Sequence, residues 1–259
     1  MAIEYERLVW AQDLSKEFSY DYWNDSQQEA AKAFNISDGN YEKVLAHLVE
    51  NGVLSHVNEI TRRIKLQGAG LDLGAGICWL EPILFSRFPA IQKIHCVEFS
   101  RHRLFDLAPR YLNHHAVARE KCVLCLGTFS DIKLEDHSLD FVVTCQSLHH
   151  AKDPAAVLAE IRRLLKRGGL FVALAEHFRG PFDVLVKYAK HCALYGAKAD
   201  YRRKRGRLFL SAEELFFDPV KGDTHFDEGQ MYRTIRTQQF KIVSALKARK
   251  RLSIICRAI

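Results

Sequence analysis

From about residue 69 the chain alternates short apolar runs with amphipathic stretches, and this alternation limits its folding more than any other feature. AGLDL, IQKIHCVEF, KCVLCLG, LDFVVTC and GLFVALAEHF read as strands, whereas CWLEPILFSRF, HRLFDLAPRYL and DPAAVLAEIRRLLKRGG have helical spacing. Strands separated by helices pair in parallel, and the favoured right-handed crossover lays helices on both sheet faces. The expected fold class is therefore α/β, a three-layer, doubly wound, mostly parallel sheet. Asp153 before Pro154 marks a helix start, and that helix is expected to end in Lys166 and Arg167 and close at Gly168 and Gly169. Pro109 is expected to bend or break its own helix.

Two flanks frame this centre. NYEKVLAHLVENG and LSHVNEITRRIKL have helical apolar spacing, so residues 1–67 are expected to form an N-terminal helical cap or lid on a domain spanning 68–259. The aromatic stretch Phe18 to Asp25 could fold over a ligand or pack the cap. Ser211 with Glu214 and Asp227 with Gln230 have capping-box spacing, and FKIVSALK and RLSIICRA, joined by a short turn, must be antiparallel.

Of 259 residues, 48% are hydrophobic, enough for a sizeable core and too many for general disorder. No apolar run approaches the roughly 18 residues that cross a bilayer, and the start MAIEYERLVW is unlike a secretory leader, so a soluble, cytoplasmic protein is expected. The seven cysteines are scattered through apolar runs and read as reduced thiols. Cys122 and Cys125 form a CxxC inside a strand, which sends them to opposite faces; no metal site is expected. Charge is unevenly placed: residues 1–177 hold 20 Lys plus Arg against 23 Asp plus Glu, and residues 178–259 hold 18 against 8. The run Arg202 to Arg207 could steer an anionic substrate or nucleic acid, or be a solvated loop.

The chemistry is concentrated in LDLGAGICW, Leu71 to Trp79. A strand delivers Asp72, and Gly74, Ala75 and Gly76 form a turn whose backbone N–H groups can approach a negatively charged ligand group. A dinucleotide fingerprint would need a third glycine where Trp79 stands, which disfavours NAD. Glu98 ends the next strand, 22 residues after Gly76, where an acid can accept from both hydroxyls of a ribose. An acid for an ammonium, a glycine turn for a carboxylate and an acid for a ribose describe S-adenosylmethionine.

At this point the sequence resembles the class I S-adenosylmethionine-dependent methyltransferases, in particular the small-molecule branch with ubiquinone and menaquinone biosynthesis enzymes. The resemblance spans Gly68 to His177 and rests on LDLGAG, the acid of VEFS, GTFSDIKLEDHSLDFVV, the LHH of CQSLHHAKDP, and EIRRLLKRGGLFV, in the family's order. It implies a seven-stranded sheet of order 3-2-1-4-5-7-6 with strand 7 antiparallel. It places Asp72, Gly74, Ala75 and Gly76 at the methionine moiety, Glu98 and Phe99 at ribose and adenine, Thr128 and Phe129 at the adenine edge, and Cys145 with Gln146 under the sulfonium. Cys78 and Thr128 depart from the common pattern, which bears on cofactor affinity more than on fold. The insertion 178–223 falls where this fold builds its acceptor pocket.

Methyl transfer from a sulfonium is an in-line displacement, so the protein must mainly align the reactants and exclude water. If the acceptor must lose a proton, His149, His150 and Glu176, with His177 beside it, lie at the right strand ends. The expected function is methylation of a small-molecule acceptor, neutral or anionic, with S-adenosylhomocysteine as product; the alternatives are a nucleic-acid methyltransferase using the basic last third, or a non-catalytic S-adenosylmethionine-binding protein.

Overall fold

In the computed structural model, which describes residues 4–14, 22, 34, 36, 38–218 and 222–259, the predicted alternation becomes one mixed sheet with helices on both faces. The chain begins with strand β1 (Glu6–Val9) and helices α1 (Glu42–Glu50) and α2 (Val53–Thr61). The alternating centre is β2 (Gly68–Leu73), α3 (Glu81–Arg87), β3 (Ile91–Glu98), α4 (Ala108–His114), β4 (Cys122–Leu126), β5 (Leu139–Cys145), α5 (Pro154–Leu164) and β6 (Leu165–Arg179). It continues with α6 (Pro181–Ala197), α7 (Ala199–Arg205), α8 (Ala212–Phe216), β7 (Phe226–Asp227), α9 (Glu228–Thr237) and the hairpin β8 (Phe240–Ala248) and β9 (Arg251–Ala258).

The sheet runs β1-β4-β3-β2-β5-β6-β9-β8, with β7 pairing β6, so it has nine strands where the resemblance implies seven. The two additions are β1, parallel to β4 through Glu6↔Val123, and the two-residue β7. Without them the order is 3-2-1-4-5-7-6, and β9 is antiparallel to both neighbours. The segment Glu6–Val9 thus belongs to the sheet, while α1 and α2 are the helices expected in the N-terminal flank. Phe18 to Asp25 lies outside the described residues except for Tyr22.

Side-chain alternation along the strands sorts the core into two clusters. Leu71 and Leu73 of β2 pack in one with α5 and α9; Ala75, Ile77 and Leu84 pack in the other with α1 and α2. Cys122 and Cys125 fall into different clusters, on opposite faces of β4. All seven cysteines are free.

Local signals act where expected. Asp153 accepts the N–H groups of Ala155 and Ala156, and Ser211 and Glu214 close a reciprocal box on α8. Pro109 cannot donate to the preceding turn, and the helix is a wide π segment over His102–Leu107 that tightens to α at Ala108. One boundary differs: α5 stops at Leu164, and Lys166 to Gly169 already belong to β6, whose register with β5 shifts between Leu139 and Phe141. The basic run is helical through Arg205, not a loop.

Gly70 shows how closely the centre is packed. A Cβ there would lie 2.1 Å from the Phe141 ring, which fills the space against β2. Gly70→Ala is expected to cost about 1–3 kcal/mol, the usual penalty of overpacking. Chemical denaturation checks this, and Phe141→Leu in the same chain should recover part of the loss.

Candidate functional site

Strands β2 to β6 are parallel, so their carboxyl ends converge on one edge, where doubly wound sheets bind ligands. A cleft of about 1090 Å³ occupies that edge. β2 delivers the turn Gly74-Ala75-Gly76, whose glycines have φ of +86° and +57°. A Cβ on Gly74 would sit 2.4 Å from Ser147 Cβ, whereas one on Gly76 would meet nothing within 4 Å. Gly74 is therefore a packing requirement, and Gly76 borders open space.

The sequence expectation that this turn's N–H groups face the ligand needs correction. Gly74 and Ala75 both donate to Val97 O at 2.9 Å, and Gly76 donates to Glu98 Oε2 at 2.9 Å. The turn presents a surface without side-chain bulk, and these three donors hold it to β3. Glu98 Oε1 also accepts from Phe99 N–H at 2.9 Å and Ser100 N–H at 2.8 Å. Burial pushes the Glu98 carboxyl up, against the opposing pull of Arg103 and the three N–H groups.

The remaining predicted cofactor residues come from the next strand ends. Phe99 follows β3; Thr128 and Phe129 follow β4; Cys145 ends β5 and Gln146 follows, and all line the cleft with Gly74, Ala75, Gly76 and Glu98. Gln146 is left-handed at φ +53°, with its N–H on Leu174 O at 3.0 Å. Burial holds the Cys145 thiol well above its ordinary value, so it is a wall and not a nucleophile.

Asp72 is not on that wall. Strand alternation turns it to the face opposite Leu71 and Leu73, where it is 2% exposed beside fully buried Glu81. Burial and the Glu81 carboxylate push its carboxyl well up, and burial likewise raises Glu81. Both acids lie behind the glycine turn, and Asp72 Oδ1 and Glu81 Oε2 have no hydrogen-bond partner among the described residues.

The histidine candidates do converge. His149, His150 and His177 line the cleft, with His149 stacked on His177 at 4.4 Å between ring centroids. Glu176 is buried and off the cleft. It accepts from Ser147, Leu148 and His149 N–H groups at 3.2–3.3 Å and from Thr144 Oγ1, and pairs with His149 Nδ1 at 2.7 Å. Burial pushes Glu176 up, but the hydrogen bond and charge of His149 with the Leu148 and Ser147 N–H groups outweigh it, and its pKa lies below the ordinary value. Burial drives His177 down to about 3 and His225, beside it, to about 4, so both stay neutral.

Several neighbours had no sequence signal. Ser147 caps Gly74 and donates to Leu73 O at 2.6 Å; Asp223 meets His150 Nδ1 at 3.0 Å; Phe34 and His47 reach the cleft from the N-terminal part. Cys78, Glu81 and Cys96 bring ligand-type atoms within 4.8 Å of one another, as do His149, His150 and Asp223. Burial keeps the thiols of the first group protonated, and in the second both imidazoles already face carboxylates.

The Asp72 environment has a pH consequence. Its folded pKa lies above its unfolded one, so the folded state holds the extra proton, and stability present at low pH is lost as pH rises through the folded value. Asp72→Asn is expected to lose less unfolding free energy than the natural chain between about pH 5 and about pH 8. Urea titrations at both pH values decide it; parallel losses in the two proteins count against a raised Asp72 pKa.

Residues 71–173 match the family of methyltransferase domains. A dimethylglycine N-methyltransferase of Parasynechococcus marenigrum is 36% identical over 108 residues, which is 40% of this chain and 36% of that protein. An uncharacterised methyltransferase of Mycobacterium bovis is 28% identical over 144 residues, 56% of this chain and 52% of that one. The chain thus spans between about a third and about a half of the length of these curated relatives. Among solved structures, an S-adenosylmethionine-dependent methyltransferase from Aquifex aeolicus superposes with a TM-score of 0.54 at 12% identity, covering 78% of this chain and 89% of that one. Mitomycin 7-O-methyltransferase superposes with a TM-score of 0.56 at 14% identity, over 94% and 64%. The solved structures share the fold, and the domain match marks residues 71–173 as similar to methyltransferase domains.

Proposed function

We propose that the protein transfers a methyl group from S-adenosylmethionine to a small-molecule acceptor, releasing S-adenosylhomocysteine. The observation that carries this reading is the pairing of Gly76, which borders open space, with the Glu98 carboxylate at the neighbouring strand tip. Glu98 Oε2 accepts one N–H among the described bonds and keeps capacity for a ribose diol. Phe99 and Phe129 offer faces for an adenine, Thr128 a hydroxyl for its edge, and Cys145 with Gln146 a floor under the sulfur. Asp72 lies buried behind the Gly74-Ala75-Gly76 turn, where burial and the Glu81 carboxylate push its carboxyl up, and is not an exposed ammonium ligand.

Bound here, S-adenosylmethionine supplies a methyl group activated by a positive sulfur. The chain's own part is alignment, exclusion of water and, for a hydroxyl or amine acceptor, removal of a proton. In the tautomer that pairs with an ionised Glu176, His149 Nδ1 donates and Nε2 keeps its lone pair as the proton acceptor. Glu176 positions that ring, and His150, held by Asp223, orients the acceptor beside it. The similarity to a dimethylglycine N-methyltransferase supports a small acceptor with a nucleophilic nitrogen; the quinone branch of the resemblance supports a hydroxyl or acidic carbon instead. The basic last third favours an anionic group on either. A nucleic-acid acceptor remains a second reading, resting on the same charge.

Two measurements test this. Glu98→Ala is expected to weaken calorimetric binding of S-adenosylhomocysteine about tenfold to hundredfold, the worth of a hydrogen bond to a charged group. His149→Ala should leave that binding intact and slow methyl release to a panel of hydroxyl and amine acceptors by about 10²-fold or more. Undiminished affinity in Glu98→Ala removes the cofactor assignment, and binding without transfer to any acceptor favours the non-catalytic alternative.

A further inference from the structure

α6 is 17 residues long and buries only His191. Its other face is apolar and open. Phe182, Leu185 and Val186 are 74%, 64% and 51% exposed, and Ala189 and Ala193 continue the same stripe at helical spacing. Phe209, just past α7, is 77% exposed. Monomer surfaces rarely leave such a stripe uncovered without a partner. It is also set in positive charge: residues 181–210 hold eight Lys or Arg against two Asp. Lys190 of α6, Lys198 at the joint to α7, Arg202 and Arg203 of α7 and Arg207 after it are exposed.

The unit is held by a few contacts. Asp183 caps the helix through Gly180 N–H at 2.9 Å, and Lys187 lies over the Phe216 ring of α8 at 4.1 Å. His191 joins α6 to the segment beyond it through Tyr201 Oη at 3.0 Å and Leu208 O at 2.9 Å. α6 starts at Pro181, four residues after the cleft residue His177.

We propose that the apolar stripe Phe182-Leu185-Val186 and the surrounding cations of α6 and α7 dock the protein on an anionic membrane surface. An amphipathic helix with a basic polar face and large apolar residues opposite lies in the interface plane, and its cations are drawn to acidic headgroups. Among the described residues no helix is long and apolar enough to span a bilayer, so this is attachment at the surface. The aliphatic side chains favour lipid over nucleic acid, since RNA offers no use for Leu185 and Val186, and the density of like charge opposes stacking two copies of α6 face to face.

Flotation of the full chain with vesicles of equimolar phosphatidylcholine and phosphatidylglycerol tests this, with phosphatidylcholine vesicles as control. Binding is expected to the acidic vesicles only and to weaken as salt rises. Phe182→Gln with Leu185→Gln, and separately Lys190→Glu with Arg203→Glu, should each lower vesicle binding about tenfold or more. All four side chains are exposed, so these variants keep their fold, and unchanged S-adenosylhomocysteine binding verifies it; the cleft reading stands or falls by that second measurement alone. Failure to float overturns the proposal. So does a dimer that the apolar substitutions dissolve, or RNA binding that the charge reversals abolish and the apolar substitutions leave intact.

Discussion

The Glu98 carboxylate fixes the geometry on which the site depends. A buried acid at the tip of β3 costs solvation, and here the cost is offset by three backbone N–H groups, of Gly76, Phe99 and Ser100. Those bonds join the glycine turn after β2 to the loop after β3, so two strand ends that packing alone would leave adjacent become one rigid wall. The carbonyl of Val97 takes the other two N–H groups of the turn. With its donors tied to β3, the turn cannot collapse into the crevice, and Gly76 stays open to it.

Glu176 does the corresponding work across the cleft. Four donors from residues 147–149 converge on its carboxylate, so the short 3-10 turn after β5 is wound around a charge supplied by β6. This explains how Gln146 holds a left-handed conformation: Leu174 O accepts its N–H on one side, and the Glu176 cage fixes the residues on the other. The same cage pushes Ser147 over Gly74, which is why that position admits no side chain. The two halves of the cleft are thus coupled through one glycine and one serine.

What the sequence made legible follows the range of the interactions. Asp153, Ser211 and the β8–β9 hairpin act within a few residues, and each appears where the pattern puts it. The parallel centre was legible because period-two and helical spacing report burial directly, and strand order followed from the resemblance, apart from β1 and β7. Residues of the strand tips that line the cleft could be named for the same reason. Asp72 and Glu176 show the limit. Sequence places them at the right strand ends, but whether an acid faces the ligand or the scaffold depends on partners in other elements: Glu81 on the next helix for one, and the 147–149 turn, 27 to 29 residues away, for the other. Asp223 has no periodic or motif context, and its meeting with His150 is a product of tertiary folding alone. The N–H groups of the glycine turn were misassigned because backbone donors carry no signal in side-chain identity.

α6 raises a different point about what a sequence is under pressure to keep. A helix that buries one residue of seventeen contributes little to the core, and its attachment rests on a cap, one cation over a ring and the His191 bridge. Folding therefore does not require Phe182, Leu185 or Val186, and polar residues with good helix propensity would improve solubility at no packing loss. Their presence beside a dense set of cations is a cost in solubility that the fold does not repay. The strands need their apolar residues to exist as strands; this helix keeps its own for something outside the molecule.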